Sequence, residues 1–151
     1  MYLITGSTGF LGKSIVKHID STKIVSLGRD KNSDIVFDFE KNKQIDNNEF
    51  NLRIETIIHA AGLAHTYPSD KSEKNKMNTI NITGTVKLLK YAEKLKKIKK
   101  IIFISSVSVY GIDHGQNINE NYLPSPNTIY GKSKLDAEKI IIDWAIKNNI
   151  K

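Results

Sequence analysis

The chain has 151 residues, 39% of them apolar and 26% charged, which suits one globular domain with its own core and excludes a disordered chain. It has no cysteine, which excludes disulfides and thiolate metal sites, and no apolar run approaches the length of a membrane span. The net charge of +7 invites a nucleic-acid reading, but only Arg29 and Arg53 among the 23 basic residues carry the planar fork suited to bases and phosphates, so no nucleic-acid partner is expected.

The lysines gather instead in Lys94–Lys100, at the end of a predicted helix, where a solvated basic face complements the helix dipole. Met1 runs directly into a strand pattern, without a basic flank or a small-residue cleavage site. No signal peptide and no membrane partner are therefore expected, and the expected location is the cytoplasm.

Strand-like and helix-like runs alternate, the pattern of an α/β domain with a parallel sheet. Tyr2–Thr5 reads as a first strand that meets a glycine-rich turn, after which Leu11, Ile15 and Ile19 share one helical face. Lys23–Leu27 reads as a second strand and Asp34–Phe37 as a third, weaker one. Only Gly28–Ser33 separates these two, too short for a crossover helix between parallel neighbours. Either the third strand is marginal or the usual helix has shrunk to a loop. Glu55–Ala60 is a fourth strand, ending in Ala60, Ala61 and Gly62. A long helix is predicted over Ser72–Leu95, with Ile80, Leu88, Leu89 and Ala92 inward. Lys100–Ser105 is the fifth strand, and its run Ile101–Ile104 predicts burial on both faces. A loop holding Pro124 and Pro126 leads to a last helix over Ile129–Asn148.

The turn from Thr5 to Gly12 carries the first functional signal. A dinucleotide's pyrophosphate needs backbone N–H groups at close range, where side chains would obstruct it. Gly6, Gly9 and Gly12 fit that need: one for the turn, one for phosphate approach and one for helix-to-strand packing. With Thr8, Phe10 and Leu11 they are the candidate cofactor contacts at this end. Their spacing is GxxGxxG, not GxGxxG. The second strand ends Leu27-Gly28-Arg29 with no acid at its tip, and Asp30 lies just beyond. An acid there would suit the ribose hydroxyl of NAD and an arginine the extra phosphate of NADP. Both cofactors stay open, with NADP slightly preferred.

Tyr130 and Lys134 stand four residues apart and hence on one helical face. An ammonium one turn from a phenol favours the phenolate, which can move a proton on a substrate hydroxyl while a nicotinamide exchanges hydride. Ser106, leaving the fifth strand, is placed to hold the same oxygen, because sites in open parallel sheets lie at the strands' carboxyl ends.

Taken together, Thr5–Gly12, His59-Ala60-Ala61-Gly62, Asn81 with Gly84-Thr85, Ser105–Gly111, and Tyr130 with Lys134 come in the order of one family. The chain resembles the extended short-chain dehydrogenase/reductases, the nucleotide-sugar epimerase and dehydratase group. The resemblance covers essentially all of residues 1–151, read as one NAD(P)-binding domain with a Rossmann-like, doubly wound parallel sheet and flanking helices. It implies that Ser106 is the catalytic serine, Tyr130 the proton-transfer residue and Lys134 its cofactor-bound partner. It further implies that Asp38 touches the adenine, that Ala60, Ala61 and Gly62 wall the cofactor's ribose, and that Asn81 is a structural polar residue of the central helix, counted with Tyr130 and Lys134 among the cofactor-site residues. His59 is expected to be a packed histidine, Tyr110 a packing residue, and Glu120, Pro124 and Pro126 a structural loop.

Two departures from the family pattern bear on activity. The 4,6-dehydratases of the family carry an Asp-Glu pair directly after the catalytic serine or threonine, whereas Val107 and Ser108 stand here. That leaves 4-epimerisation or reduction of a keto-sugar, on a UDP- or dTDP-linked substrate. The family's chain also continues past the tyrosine helix into a substrate-binding region, whereas this sequence stops at Lys151. The sheet is thus expected to be truncated at its carboxyl-terminal side, with a homodimer or a second chain as possible completion. The competing reading is a non-catalytic dinucleotide-binding module or an inactive fragment.

Overall fold

The computed structural model describes residues 1–41, 44–45, 53–64, 70–112 and 114–151. The strands are β1 (Tyr2–Thr5), β2 (Ile24–Gly28), β3 (Ile35–Val36), β4 (Thr56–His59) and β5 (Lys100–Phe103). They form one wholly parallel sheet in the order β3-β2-β1-β4-β5. The helices are α1 (Phe10–Lys17), α2 (Lys71–Asn78), α3 (Gly84–Ala92) and α4 (Ile129–Lys147). Among the described residues no helix is long and apolar enough to cross a membrane.

Alternation along the strands sorts their side chains between the two faces. Leu3, Val25, Leu27 and Ile57 join Leu88, Leu89, Ala92, Ile141 and Trp144 in the main core, between the sheet and the helices α3 and α4. Ile4 and Ile58, which alternate with them, are buried on the other face. Each such side chain contributes about 1.5–3 kcal/mol on burial.

The short link between β2 and β3 has a physical resolution in which both alternatives hold. β3 has two residues, and its register pairs Leu27 with Ile35 and Gly28 with Val36, so it starts where β2 ends. The chain therefore need not travel back along the strand, and no crossover helix is required. Carboxylates order the loop instead. Asp30 accepts from the N–H of Asn32 at 2.8 Å, and Asp34 accepts from the N–H and hydroxyl of Ser26 at 2.8 and 2.7 Å. Those bonds from Ser26 hold the Asp34 carboxyl below its ordinary pKa.

Three expectations need correction. The central helix is not a uniform α-helix: between α2 and α3 the residues Thr79–Thr83 make a π turn, and α3 ends at Ala92. Leu11 is about half exposed, and α1 ends at Lys17, short of the Ile19 expected to share its face. Most important, β5 is not buried on both faces. Ile101 and Phe103 pack against the main core, but Ile102 is 43% exposed. The described helices that lie beyond β4, namely α3 and α4, stand on the Ile101 side. On the edge of β5 away from β4, Lys151 donates its N–H to the carbonyl of Lys99 at 3.1 Å and accepts from the N–H of Ile101 at 2.8 Å. That pair of bonds is the pattern of a parallel neighbour.

The exposure of Ile102 on β5, set against the fully buried Ile57 on the neighbouring β4, predicts unequal costs at two isoleucines. Ile57→Ala is expected to cost about 2–5 kcal/mol in denaturant unfolding, and Ile102→Thr less than about 1 kcal/mol. Equal losses would show that Ile102 is covered.

Candidate active site

Glycine geometry at the end of β1 agrees with two of the roles read from the spacing, the turn and the helix packing. Gly6 has φ +71°, and a Cβ there would meet Ala61 N at 2.7 Å. A Cβ on Gly12 would fall 2.0 Å from Gly6 O, so that glycine lets α1 pack onto the turn. Gly9 faces more open space, with Gly6 O at 3.3 Å from an added Cβ, and it starts α1 with no side-chain cap. The backbone N–H groups of the first helical turn are thereby left for an anion.

In front of this turn lies a cleft of about 650 Å³. Its walls include Gly6, Thr8, Gly9, Arg29, Asp38, Ala60, Ala61 and Gly62, all expected from the sequence. Volume and lining suit a dinucleotide: a side-chain-free floor beside a helix start, apolar walls and a few polar groups. Phe10, which is 92% exposed, Leu11, Gly12, Tyr130 and Lys134 do not line it. Ser7, Phe37, Phe39, Leu63, Lys76 and Ile80 do, although they were not foreseen. Phe37 and Phe39 flank Asp38 and meet edge to face at 5.2 Å, a pattern that in sequence reads as plain core. Lys76 reaches the cleft from α2, pairs with Glu40 at 3.2 Å, and had no local signal at all.

His59 is the hub behind the cleft wall. Its Nδ1 lies 2.6 Å from the Thr5 hydroxyl, and its Nε2 lies 3.0 Å from the Thr85 hydroxyl. Thr85 donates to the carbonyl of Asn81 at 2.7 Å, so its oxygen accepts from His59 Nε2–H. Thr5 then donates to Nδ1 while its oxygen accepts from the N–H of Ala61 at 3.1 Å. This assigns a neutral imidazole protonated at Nε2. Full burial, and secondarily the Lys134 charge, lower the His59 pKa to about 3.

Asn81 sits at the middle of the π turn. Its backbone is paired as just described, and its carboxamide accepts from Leu63 N–H at 2.7 Å and donates to Leu63 O at 3.1 Å and Ser133 Oγ at 2.9 Å. Asn81 thus joins the loop after Gly62 to α4, the structural role expected of it. It sits behind the cleft wall and is not part of its lining.

Thr128 caps α4 by accepting from the N–H of Gly131 at 3.0 Å, which puts Tyr130 in the first turn. A Cβ on Gly131 would stand 2.3 Å from Ser108 O, so the missing side chain lets α4 press against the 3₁₀ turn Val107–Val109. Ser106 caps that turn, accepting from the N–H of Ser108 at 3.2 Å. Lys134 is buried, with Nζ 2.6 Å from the carbonyl of Ile104 and 4.0 Å from the centre of the Phe103 ring. A Cβ on Gly62 would lie 3.9 Å from Lys134 Nζ, which brings the lysine to the cleft wall. Burial lowers the Lys134 pKa to about 8, against the pull of Glu138, which raises it. Among the described residues none hydrogen-bonds the Tyr130 hydroxyl. Tyr110 packs edge to face on Tyr122 at 5.6 Å, and Pro126 abuts Gly131, whereas Glu120 and Pro124 are exposed.

A parallel sheet in this strand order, with a glycine turn and a cleft at its carboxyl edge, defines a Rossmann-like nucleotide-binding fold. Within that class the match is specific. The chain belongs to the NAD dependent epimerase/dehydratase family, whose model matches residues 2–151. It is similar to the structure of MoeE5 in complex with UDP-glucose and NAD, at 27% identity and TM-score 0.75 over 95% of this chain and 48% of that one. The UDP-glucuronic acid 4-epimerase of Bacillus cereus in complex with NAD matches at 24% identity and TM-score 0.75, over 99% of this chain and 53% of that one. RMD from Pseudomonas aeruginosa complexed with NADPH matches at 24% and 0.77, over 99% and 51%. No curated protein matches the chain. The chain spans about half the length of the solved structures it resembles.

The buried imidazole makes stability depend on pH. Its folded pKa lies below its unfolded value of about 6.5, so its contribution is complete above pH 6.5 and is lost as pH falls toward about 3. Between pH 6.5 and 5 this amounts to about 2 kcal/mol. Urea unfolding is expected to show that loss in the parent and a flatter profile in His59→Gln. A profile unchanged by the substitution would show that His59 is not the titrating group.

Proposed function

We propose that the chain supplies the cofactor site and the Ser106, Tyr130 and Lys134 side chains of an NAD(P)-dependent epimerase or 4-keto reductase acting on a nucleotide sugar. The observation that carries this reading is the reach of Lys134. Its Nζ comes to the Gly62 wall of the glycine cleft from the helix that also bears Tyr130. A purely binding module has no need of a buried ammonium in that place.

In this reading the Gly6–Gly12 turn holds the pyrophosphate, Asp38 lies at the adenine, and the Ala60–Gly62 wall with Lys134 holds the nicotinamide-side ribose. The bound dinucleotide supplies hydride exchange at its nicotinamide. Tyr130 moves the proton of the reacting sugar hydroxyl, and Ser106 holds the same oxygen. Val107 and Ser108 offer no carboxylates for water loss, which favours epimerisation or reduction over dehydration. The substrates named with MoeE5 and the Bacillus cereus enzyme support a UDP-linked sugar ahead of a dTDP-linked one.

Arg29 supports NADP. It lines the cleft at the tip of β2, is exposed, and among the described residues has no carboxylate partner, whereas Asp30 is engaged in its own turn. NADPH is expected to bind at least several-fold more tightly than NADH in calorimetry. Arg29→Ala should remove about tenfold of the NADPH affinity, or about 1.4 kcal/mol, and little of that for NADH. Equal affinities in the parent would reverse the preference.

With a UDP-sugar substrate, Tyr130→Phe is expected to lower turnover by about 10² or more while dinucleotide affinity stays near the parent's. If dinucleotide binds but no UDP-linked sugar turns over in the parent, the non-catalytic module becomes the better reading.

A further inference from the structure

Tyr130, Lys134 and Glu138 stand at intervals of four and form one stripe along successive turns of α4. The lower two meet the carboxyl end of β5 in order. Lys134 donates to the carbonyl of Ile104, and Glu138 accepts from the hydroxyl of Ser105. Ser105 immediately precedes Ser106, so this bond fixes the backbone from which Ser106 projects. Ser105 and Glu138 are half-buried and Lys134 is buried. Charges held away from water interact more strongly than an exposed pair one helical turn apart.

We propose that Glu138 is a positioning residue for the Tyr130–Lys134 pair, tying the Ser105–Ser106 tip to α4 and placing a negative charge one turn from Lys134. The proposal rests on the roles given to Ser106, Tyr130 and Lys134 above. Burial favours the neutral amine of Lys134, and the Glu138 carboxylate opposes it. Among the described residues, the other groups around the ammonium do not supply that charge. β4 presents His59, neutral between its two threonines, and β5 presents the Phe103 ring and the Ile104 carbonyl. Across Gly62 stands the uncharged carboxamide of Asn81.

The test is a titration of Lys134 in the 151-residue chain with ¹³C-labelled lysine, the signal being assigned with Lys134→Arg. Glu138→Gln keeps an acceptor for Ser105 and removes only the charge. The Lys134 midpoint is expected to fall by about 0.5 unit or more, roughly threefold in its ionisation constant, with the melting temperature little changed. An unmoved midpoint in a Glu138→Gln chain that melts like the parent overturns the proposal. Should that variant not melt cooperatively, Ser105→Ala gives the same reading by releasing the carboxylate from its tether: a fall supports the proposal, and an unmoved midpoint overturns it. Dinucleotide binding by the parent is measured in the same samples. A parent that binds neither NADH nor NADPH removes the functional reading, while the Lys134 midpoints still decide the role of Glu138.

Discussion

One unbroken run of hydrogen bonds, from Ala61 N–H through Thr5, His59 and Thr85 to the carbonyl of Asn81, holds the other parts of the site in place. Every proton in it has a single position, since each hydroxyl donates in one direction and accepts in the other. At its two ends the run fixes different things. At Ala61 it sets the wall of the cleft. At Asn81 it engages a backbone carbonyl within the π turn, while the Asn81 carboxamide holds both Leu63 and Ser133. Cleft wall, central helix and α4 are therefore referenced to one buried imidazole. Such a network is costly to leave half-satisfied, which is why its members act as a unit.

Phe103 gives this arrangement an electrostatic side. Its ring lies 5.5 Å from the imidazole of His59 and carries the Lys134 ammonium 4.0 Å from its centre. Two buried bases share one aromatic spacer, and the charge on the lysine disfavours charge on the histidine. Of these two bases the lysine carries the charge and the histidine stays neutral. The aromatic face offers the ammonium an attraction that water would otherwise supply.

Much of this was legible in the sequence where sterics or helix periodicity act alone. Gly6 and Gly12 are dictated by contacts within a single turn, so their spacing carries the information. Tyr130 and Lys134 share a helical face by counting. Partners were not legible where they depend on distant chain segments. The run Ile101–Ile104 reports that a strand is apolar, but not which neighbours cover it, and Ile102 proves open on one side. Asn81 and Thr85 keep helical spacing whether the turn around them is α or π, so the π turn leaves no periodic trace. Lys76, Phe37 and Phe39 reach the cleft only because α2 and the segment after β3 are brought to it by the fold. Glu138 lies on the same stripe as Lys134, yet alone it reads as an ordinary polar helix residue.

The two borders of the sheet differ in kind. The β3 border is two residues long and hemmed by the carboxylate-ordered loop around Asp30 and Asp34. An edge so short offers almost no free ladder, which is one of the ways that proteins avoid strand-to-strand association. The β5 border is longer and already engages Lys151 in parallel register. The sheet therefore has a direction of growth: backbone pairing can extend it past β5, whereas the β3 side is closed by brevity.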